Sequence, residues 1–194
     1  MQFRTATSSD IAELNALIEL SGRVLSVGFY STEQADAITR HVFGVDTQLI
    51  DDQTYFVIEH EGRIVACGGW SKRRTLFGGD QTKSGPDPLL DPATEAARIR
   101  AFFVHPSMAR RGLGSQLMAA CTLAAREEGF RTLELAATMP GEPLYLASGF
   151  AVIERFNLDL PGGIRVPLSR MRMAASTAFF VSLLPGLKAP QCAM

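Results

Sequence analysis

A mixed α/β (α+β) domain is what the sequence predicts, and three stretches predict it. Tyr55–His60 and Arg63–Trp70 are two β-rich runs joined across Glu61-Gly62, the mark of an antiparallel hairpin. Ile99–Val104, a helical pattern from Leu113 to Gly129 and a run over Arg131–Ala137 follow as strand, helix and strand. Strand, helix and strand within about forty residues require a parallel crossover, normally right-handed. Ala151–Leu158 and Pro167–Met173 supply two closing strands around a turn at Pro161-Gly162-Gly163.

In chain order, Phe3–Thr7 reads as a first strand. Ser8 or Ser9 is suited to cap a helix that starts at Asp10, whose acid favours a first turn. Ile11, Leu14, Leu17 and Ile18 give that helix one apolar face. A second helix is expected from an N-cap at Thr32, with Ala35, Ile38, Val42 and Phe43 facing inward and Gly44 ending it. Gly68-Gly69 marks a bulge or a close backbone approach in the second hairpin strand. Trp70 reads either as a pocket wall or as core, and Lys72-Arg73-Arg74 either as a solvated strand end or as a phosphate contact. Phe77–Pro92 is rich in Gly, Asp and Pro and longer than a hairpin needs, so it is a functional or mobile loop.

The crossover is the most informative stretch. His105-Pro106 stops its first strand, and Arg110-Arg111-Gly112-Leu113-Gly114-Ser115 leads straight into the helix, with Leu113, Leu117, Cys121 and Ala125 on one face. Glycines admit a ligand close to the backbone, and the free N–H groups of a helix start attract an anion. These residues alone allow an anion site or two solvated arginines beside a glycine turn. The corner lacks the third glycine of a dinucleotide fingerprint and the Gly-Lys-Ser/Thr of a phosphate loop.

Two motifs decide between those readings. Gly112 and Gly114 match the (Gln/Arg)-x-x-Gly-x-(Gly/Ala) segment, and Leu144-Tyr145 with Gly149-Phe150 matches Leu-Tyr-x-x-x-Gly-Phe. Residues 2–173 thereby resemble the GNAT superfamily of N-acetyltransferases. Ala109 stands where that family usually has Gln or Arg, and Thr138 where many members have Asn. The resemblance implies a mixed central sheet with antiparallel N-terminal strands and a splayed parallel pair, flanked by helices. It implies acetyl-CoA as cosubstrate and a small-molecule or peptide amine as acceptor. A backbone N–H within Phe102, Phe103 and Val104 would polarise the thioester carbonyl, and Ala109, Arg110, Arg111, Gly112, Leu113, Gly114 and Ser115 would hold the pyrophosphate. Tyr145 falls at the general-acid position, with a core tyrosine as the alternative. Glu95 is the nearest carboxylate to the central strand and a candidate base, beside a solvated role or a proton relayed through water. Phe29, Tyr30 and the loop over Phe77–Pro92 would flank the acceptor pocket. His105 is able to titrate usefully but equally suits a structural role before Pro106. The rival function is a domain that binds acyl-CoA without turnover, as a sensor or scaffold.

Composition narrows the classes further. The 194 residues suit one domain, and a net charge of −1 gives no bulk attraction to nucleic acid or anionic membrane. Cys67, Cys121 and Cys192 are far apart and odd in number, which fits a reducing cytoplasm rather than a disulfide framework. His41, His60 and His105 share no metal-ligand spacing with them. The N-terminus shows no signal peptide, and no run reaches the roughly 20 apolar residues of a membrane helix. Residues 174–194 form an extension outside the resemblance; its run Ala178–Leu184 would pack on the domain, bury itself in a homodimer or stay unstructured.

Overall fold

In the computed structural model, residues 1–175 are described. The expectations for Ala178–Leu184, including a homodimer built on them, fall outside those residues. Seven strands form one sheet: β1 (Gln2–Thr5), β2 (Tyr55–His60), β3 (Arg63–Ser71), β4 (Ala97–Val104), β5 (Thr132–Thr138), β6 (Ala151–Leu160) and β7 (Ile164–Ala174). Their spatial order is β1-β2-β3-β4-β5-β7-β6, and only β4 and β5 run parallel. The β2–β3 turn has left-handed φ at both Glu61 (52°) and Gly62 (74°), the primed turn that matches strand twist.

Helix starts follow reciprocal capping. α1 (Ile11–Leu25) is entered through a short 3-10 turn whose cap is Thr7, not Ser8 or Ser9: Asp10 lies three residues on and accepts the Thr7 N–H at 2.7 Å. α2 (Thr32–His41) is capped by Ser31, not Thr32. Gln34 donates its N–H to Ser31 Oγ at 3.1 Å and accepts the Ser31 N–H at 3.1 Å, whereas Thr32 would find only Ala35 at that spacing. α2 also stops at His41, short of Gly44, and an unforeseen helix α3 (Thr47–Asp51) follows under an Asp46 cap.

α4 (Leu113–Glu127) covers one face of the sheet through Leu113, Leu117, Met118, Cys121 and Ala125. It ends in a Schellman motif: Gly129 is left-handed (φ 92°), Phe130 N–H reaches Ala125 O at 3.0 Å and Gly129 N–H reaches Arg126 O at 2.9 Å. α5 (Glu142–Ala147) ends the same way, with Gly149 at φ 94° and Phe150 N–H on Tyr145 O at 3.0 Å. On the other face, α1 and α3 bury Leu14, Leu17, Ile18 and Leu49 against Tyr55, Val57 and Cys67, while α2 packs Ile38 on Val166 and Leu168 of β7.

Two irregularities open the sheet. β4 carries a bulge opposite Gly68, because Cys67 pairs with Phe103 and Gly69 with Arg100, leaving Ala101 (φ 56°) and Phe102 against one residue. An added Cβ on Gly68 would lie 2.8 Å from the Phe102 ring, so glycine is what admits that ring. β4 and β5 are paired at only two positions, Ala97–Leu133 and Arg98–Glu134; beyond these the strands part. The loop between β3 and β4 is anchored by Arg73 Nε on Asp52 Oδ2 at 2.7 Å, then doubles back over α2–α3 through Gly79 N–H on Val42 O (2.9 Å) and Asp80 N–H on Val45 O (3.0 Å). Among the described residues no helix is long and apolar enough to cross a membrane, and no His/Cys/Asp/Glu cluster is arranged to hold a metal ion.

Candidate functional site

Where β4 and β5 part, two cavities meet. The larger, about 470 Å³, runs between β4, the Ala109–Ser115 corner, the start of α5 and the C-terminal turns of α1. The smaller, about 90 Å³, lies under the Leu76–Gly79 loop, against α2 and β7. Phe43, Phe102, Phe103, Thr138 and Tyr145 line both and form the passage between them.

The corner before α4 is shaped by two left-handed residues, Arg110 (φ 63°) and Gly112 (φ 82°). For arginine that conformation costs roughly 1–2 kcal/mol, strain of the kind found at ligand sites. Nothing lies within 4 Å of a Cβ added to Gly112, so its role is conformational and the space beside it is an open cradle. The N–H groups of Leu113, Gly114 and Ser115 begin α4 at this cavity without intrahelical partners, as helix starts require. Arg110 and Arg111 are exposed and form no ion pair among the described residues. Gly114 is explained differently from Gly112: a Cβ there would sit 2.8 Å from Leu144 Cδ2. Its missing side chain lets α5 dock against α4.

Tyr145 occupies the passage at 9% exposure. Phe102 and Phe150 meet its ring edge-on, with centroids 6.2 and 6.0 Å away. The Phe150 contact is the apolar clasp that goes with the Schellman ending of α5, so the Tyr-x-x-x-Gly-Phe pattern is a device for fixing this ring. A Cβ on Gly141 would lie 3.2 Å from its Cε2, and glycine leaves the ring room. Burial, helped by the nearby Cys121 thiol, pushes the Tyr145 phenol well above its ordinary range. Among the described residues its hydroxyl has no hydrogen-bond partner and is not among the buried atoms left unpaired.

Of the residues singled out from the sequence, Phe102, Phe103, Val104, Ala109, Arg110, Gly112, Leu113, Gly114, Ser115 and Tyr145 line the larger cavity. Arg111 stands just outside the lining, on the exposed side of the corner. Glu95 is not brought to the cavities. It precedes the paired end of β4, where its Oε2 accepts the Asp91 N–H at 2.8 Å and its Oε1 lies 3.6 Å from Arg74. His105 is occupied in capping the turn after β4, its Nδ1 accepting the Ser107 N–H at 3.2 Å. Phe29 is exposed, while Tyr30 donates to Pro167 O at 2.8 Å and accepts the Met139 N–H at 2.9 Å, tying β5 to β7. Trp70 is core, edge-on to Phe130 at 6.1 Å.

Sequence reasoning did not foresee Ser21 or Arg100 at this site, and it placed Phe43 only on the inward face of the second helix. Ser21 reaches from α1 to β4, where its Oγ accepts the Val104 N–H at 3.3 Å; adjacent small residues Ser21-Gly22 in mid-helix were the available signal. A Cβ on Gly22 would lie 2.7 Å from the Phe43 ring, so this glycine seats Phe43 in the passage. Arg100, 4% exposed, sends Nη1 to Asp46 Oδ2 at 2.8 Å and Nη2 to Gly78 O. The Asp46 contact is ionic rather than an aligned hydrogen bond, since Oδ2 lacks a hydrogen-bond partner among the described residues. No sequence pattern announced this pairing.

The sequence model of the Acetyltransferase (GNAT) family matches residues 18–150. Solved structures with the same fold include a GCN5-related N-acetyltransferase from Rhodopseudomonas palustris (18% identity, TM-score 0.62, covering 89% of this chain and 94% of that one). PaiA N-acetyltransferase from Thermoplasma acidophilum, in complex with coenzyme A, shares 12% identity at TM-score 0.59 over 89% and 98% of the two chains. YncA from Salmonella typhimurium, a structure with acetyl-CoA, shares 15% identity at TM-score 0.57 over 100% and 99%. No curated protein sequence matches. The family match spans both sequence motifs, the parted strands and the corner before α4, and the chain belongs to the Acetyltransferase (GNAT) family.

Proposed function

We propose that this protein is an N-acetyltransferase that moves an acetyl group from acetyl-CoA directly to a primary amine. The observation that carries this reading is Tyr145, seated where a cavity ending at an open anion corner meets a second, apolar cavity. The residues present fit the cosubstrate: unpaired N–H groups at the start of α4, two cations without ion pairs among the described residues and the cradle at Gly112 suit a pyrophosphate. Bound there, acetyl-CoA supplies the acetyl group activated as a thioester.

The chain's own groups then have two tasks. Phe103 turns its N–H toward Cys67 of β3, and Phe102 sits at the bulge, where the β3–β4 ladder is interrupted beside the gap. Val104 already gives its N–H to Ser21, which leaves Phe102 to polarise the acetyl carbonyl. Tyr145 donates its proton to the departing thiolate and is reprotonated by the proton that the nitrogen sheds as the amide forms; burial, which raises the phenol, keeps that proton in place throughout the working pH range. Among the described residues neither cavity lining contains a carboxylate, so the amine enters uncharged and Glu95 takes no direct part.

Titrating acetyl-CoA calorimetrically while following thiol release with a panel of amines tests the proposal. Binding with amine-dependent CoA release is expected. Binding without release from any amine would instead make the chain an acyl-CoA sensor.

A further inference from the structure

The smaller cavity carries information about what is acetylated. Its walls are Phe77 and Leu168 together with the passage residues, and among the described residues Arg100 is the one charged side chain lining it. In the larger cavity the one charged lining residue among the described residues is Arg110. Both are cations. The carboxylates around this space are engaged elsewhere: Asp46 with Arg100 and Lys83, Asp80 with Lys83 and with the Thr47 N–H, and Glu142 with Arg155 and Ser169.

An ammonium group entering this space loses its water and finds no anion, only the guanidinium of Arg100. A second ammonium on the same molecule meets the same obstacle, since it cannot shed its proton as readily as it could remain in solvent. Apolar walls of aromatic and aliphatic side chains, by contrast, reward a hydrocarbon body. The volume sets the size. About 90 Å³ is less than the roughly 150 Å³ that holds a benzene ring in a dry protein cavity. Phe77 sets that limit from above: it is a loop residue whose ring rests against Phe156 at 6.4 Å between centroids.

We infer that the acceptor is a compact monoamine, a primary amino group on a small uncharged apolar body, and that the Arg100–Asp46 pair and Phe77 exclude polyamines and bulky aromatic amines. This rests on the acetyltransferase reading above. The same chemistry occurs in free alkylamines and at a peptide N-terminus that begins with a small apolar residue.

A matched pair tests it: n-butylamine and putrescine have the same carbon chain and differ by one terminal amino group. With the full chain, acetyl-CoA and a thiol-release readout, kcat/KM for n-butylamine should exceed that for putrescine by about 10²-fold or more. Benzylamine should be poor, and Phe77→Ala should raise its kcat/KM relative to n-butylamine about tenfold. An alanine-headed tripeptide in the same assay separates the two sources, since faster turnover than n-butylamine assigns the site to a peptide terminus. Putrescine or spermidine turned over as well as n-butylamine would overturn the inference while leaving the acetyltransferase reading intact. Acetyl-CoA binding with no CoA release from any amine would overturn both.

Discussion

Arg98 and Glu134 face each other across the last rung that joins β4 to β5, with Arg98 Nη1 2.8 Å from Glu134 Oε1. One residue further the strands have separated and the cavities begin. Glu134 is fully buried, and Arg170 and Arg172 of β7 also close on it at 2.7 and 2.5 Å. Burial pushes its carboxyl up, yet the hydrogen bonds from Arg172 and Arg170 and the charge of Arg98 outweigh that and hold it below the ordinary range. One carboxylate thus fastens three strands at the base of the opening.

Glu134→Gln removes that charge and leaves three arginines around a neutral amide. Breaking a buried ion pair from one side costs about 3–5 kcal/mol. For a chain of this size that is a fall of about 6–20 °C in Tm, measurable by calorimetry. A variant that melts with the parent would mean that the cluster contributes nothing net.

Acid should unfold the protein through identifiable groups. Asp10 is held at about 2, chiefly by its hydrogen bond with Arg4, against an ordinary 3.8. A depressed carboxylate adds stability above its unfolded value and loses it as pH falls through the folded one. Asp10 and Glu134 both have that sign, so stability should drop between about pH 4 and pH 2. Arg4→Ala should move the onset of acid unfolding to higher pH, as followed by circular dichroism.

Tyr145→Phe keeps the ring between Phe102 and Phe150 and removes only the proton. Turnover should fall by about 10²–10⁴-fold, with acetyl-CoA affinity within a few fold of the parent. Because burial raises the Tyr145 phenol, the parent enzyme should show no loss of kcat up to about pH 10, the ordinary phenol value. The acid limb of kcat/KM should follow the acceptor's own amine, shifting when amines of different basicity are compared; a limb that stays fixed would point to an enzyme base.

The two corner glycines should fail in different ways. Gly112→Val forces a branched residue into left-handed φ and fills the open cradle, so acetyl-CoA affinity should fall with the fold retained. Gly114→Val collides with Leu144 and should lower Tm, and Leu144→Ala should restore part of it. Additive losses in the double variant would show that the two side chains do not share this space.

How much of this was legible in the chain depends on the range of the interaction involved. Local rules located the β2–β3 hairpin, the α4 stripe and its Gly129 ending, and the turn after β6, because each rests on residues within a few positions of one another. Where those rules missed, as at Thr7 and Ser31, the correct cap was set by a reciprocal partner three residues on. Tertiary structure alone decided that Glu95 lies before the paired end of β4, that Ser21 takes the Val104 N–H, and that Arg100 meets Asp46 behind the wall of the smaller cavity. It also gave the two glycines their separate meanings, which the motif had treated alike. These contacts join residues tens of positions apart, and a single sequence records the side chains without recording which of them folding will bring together.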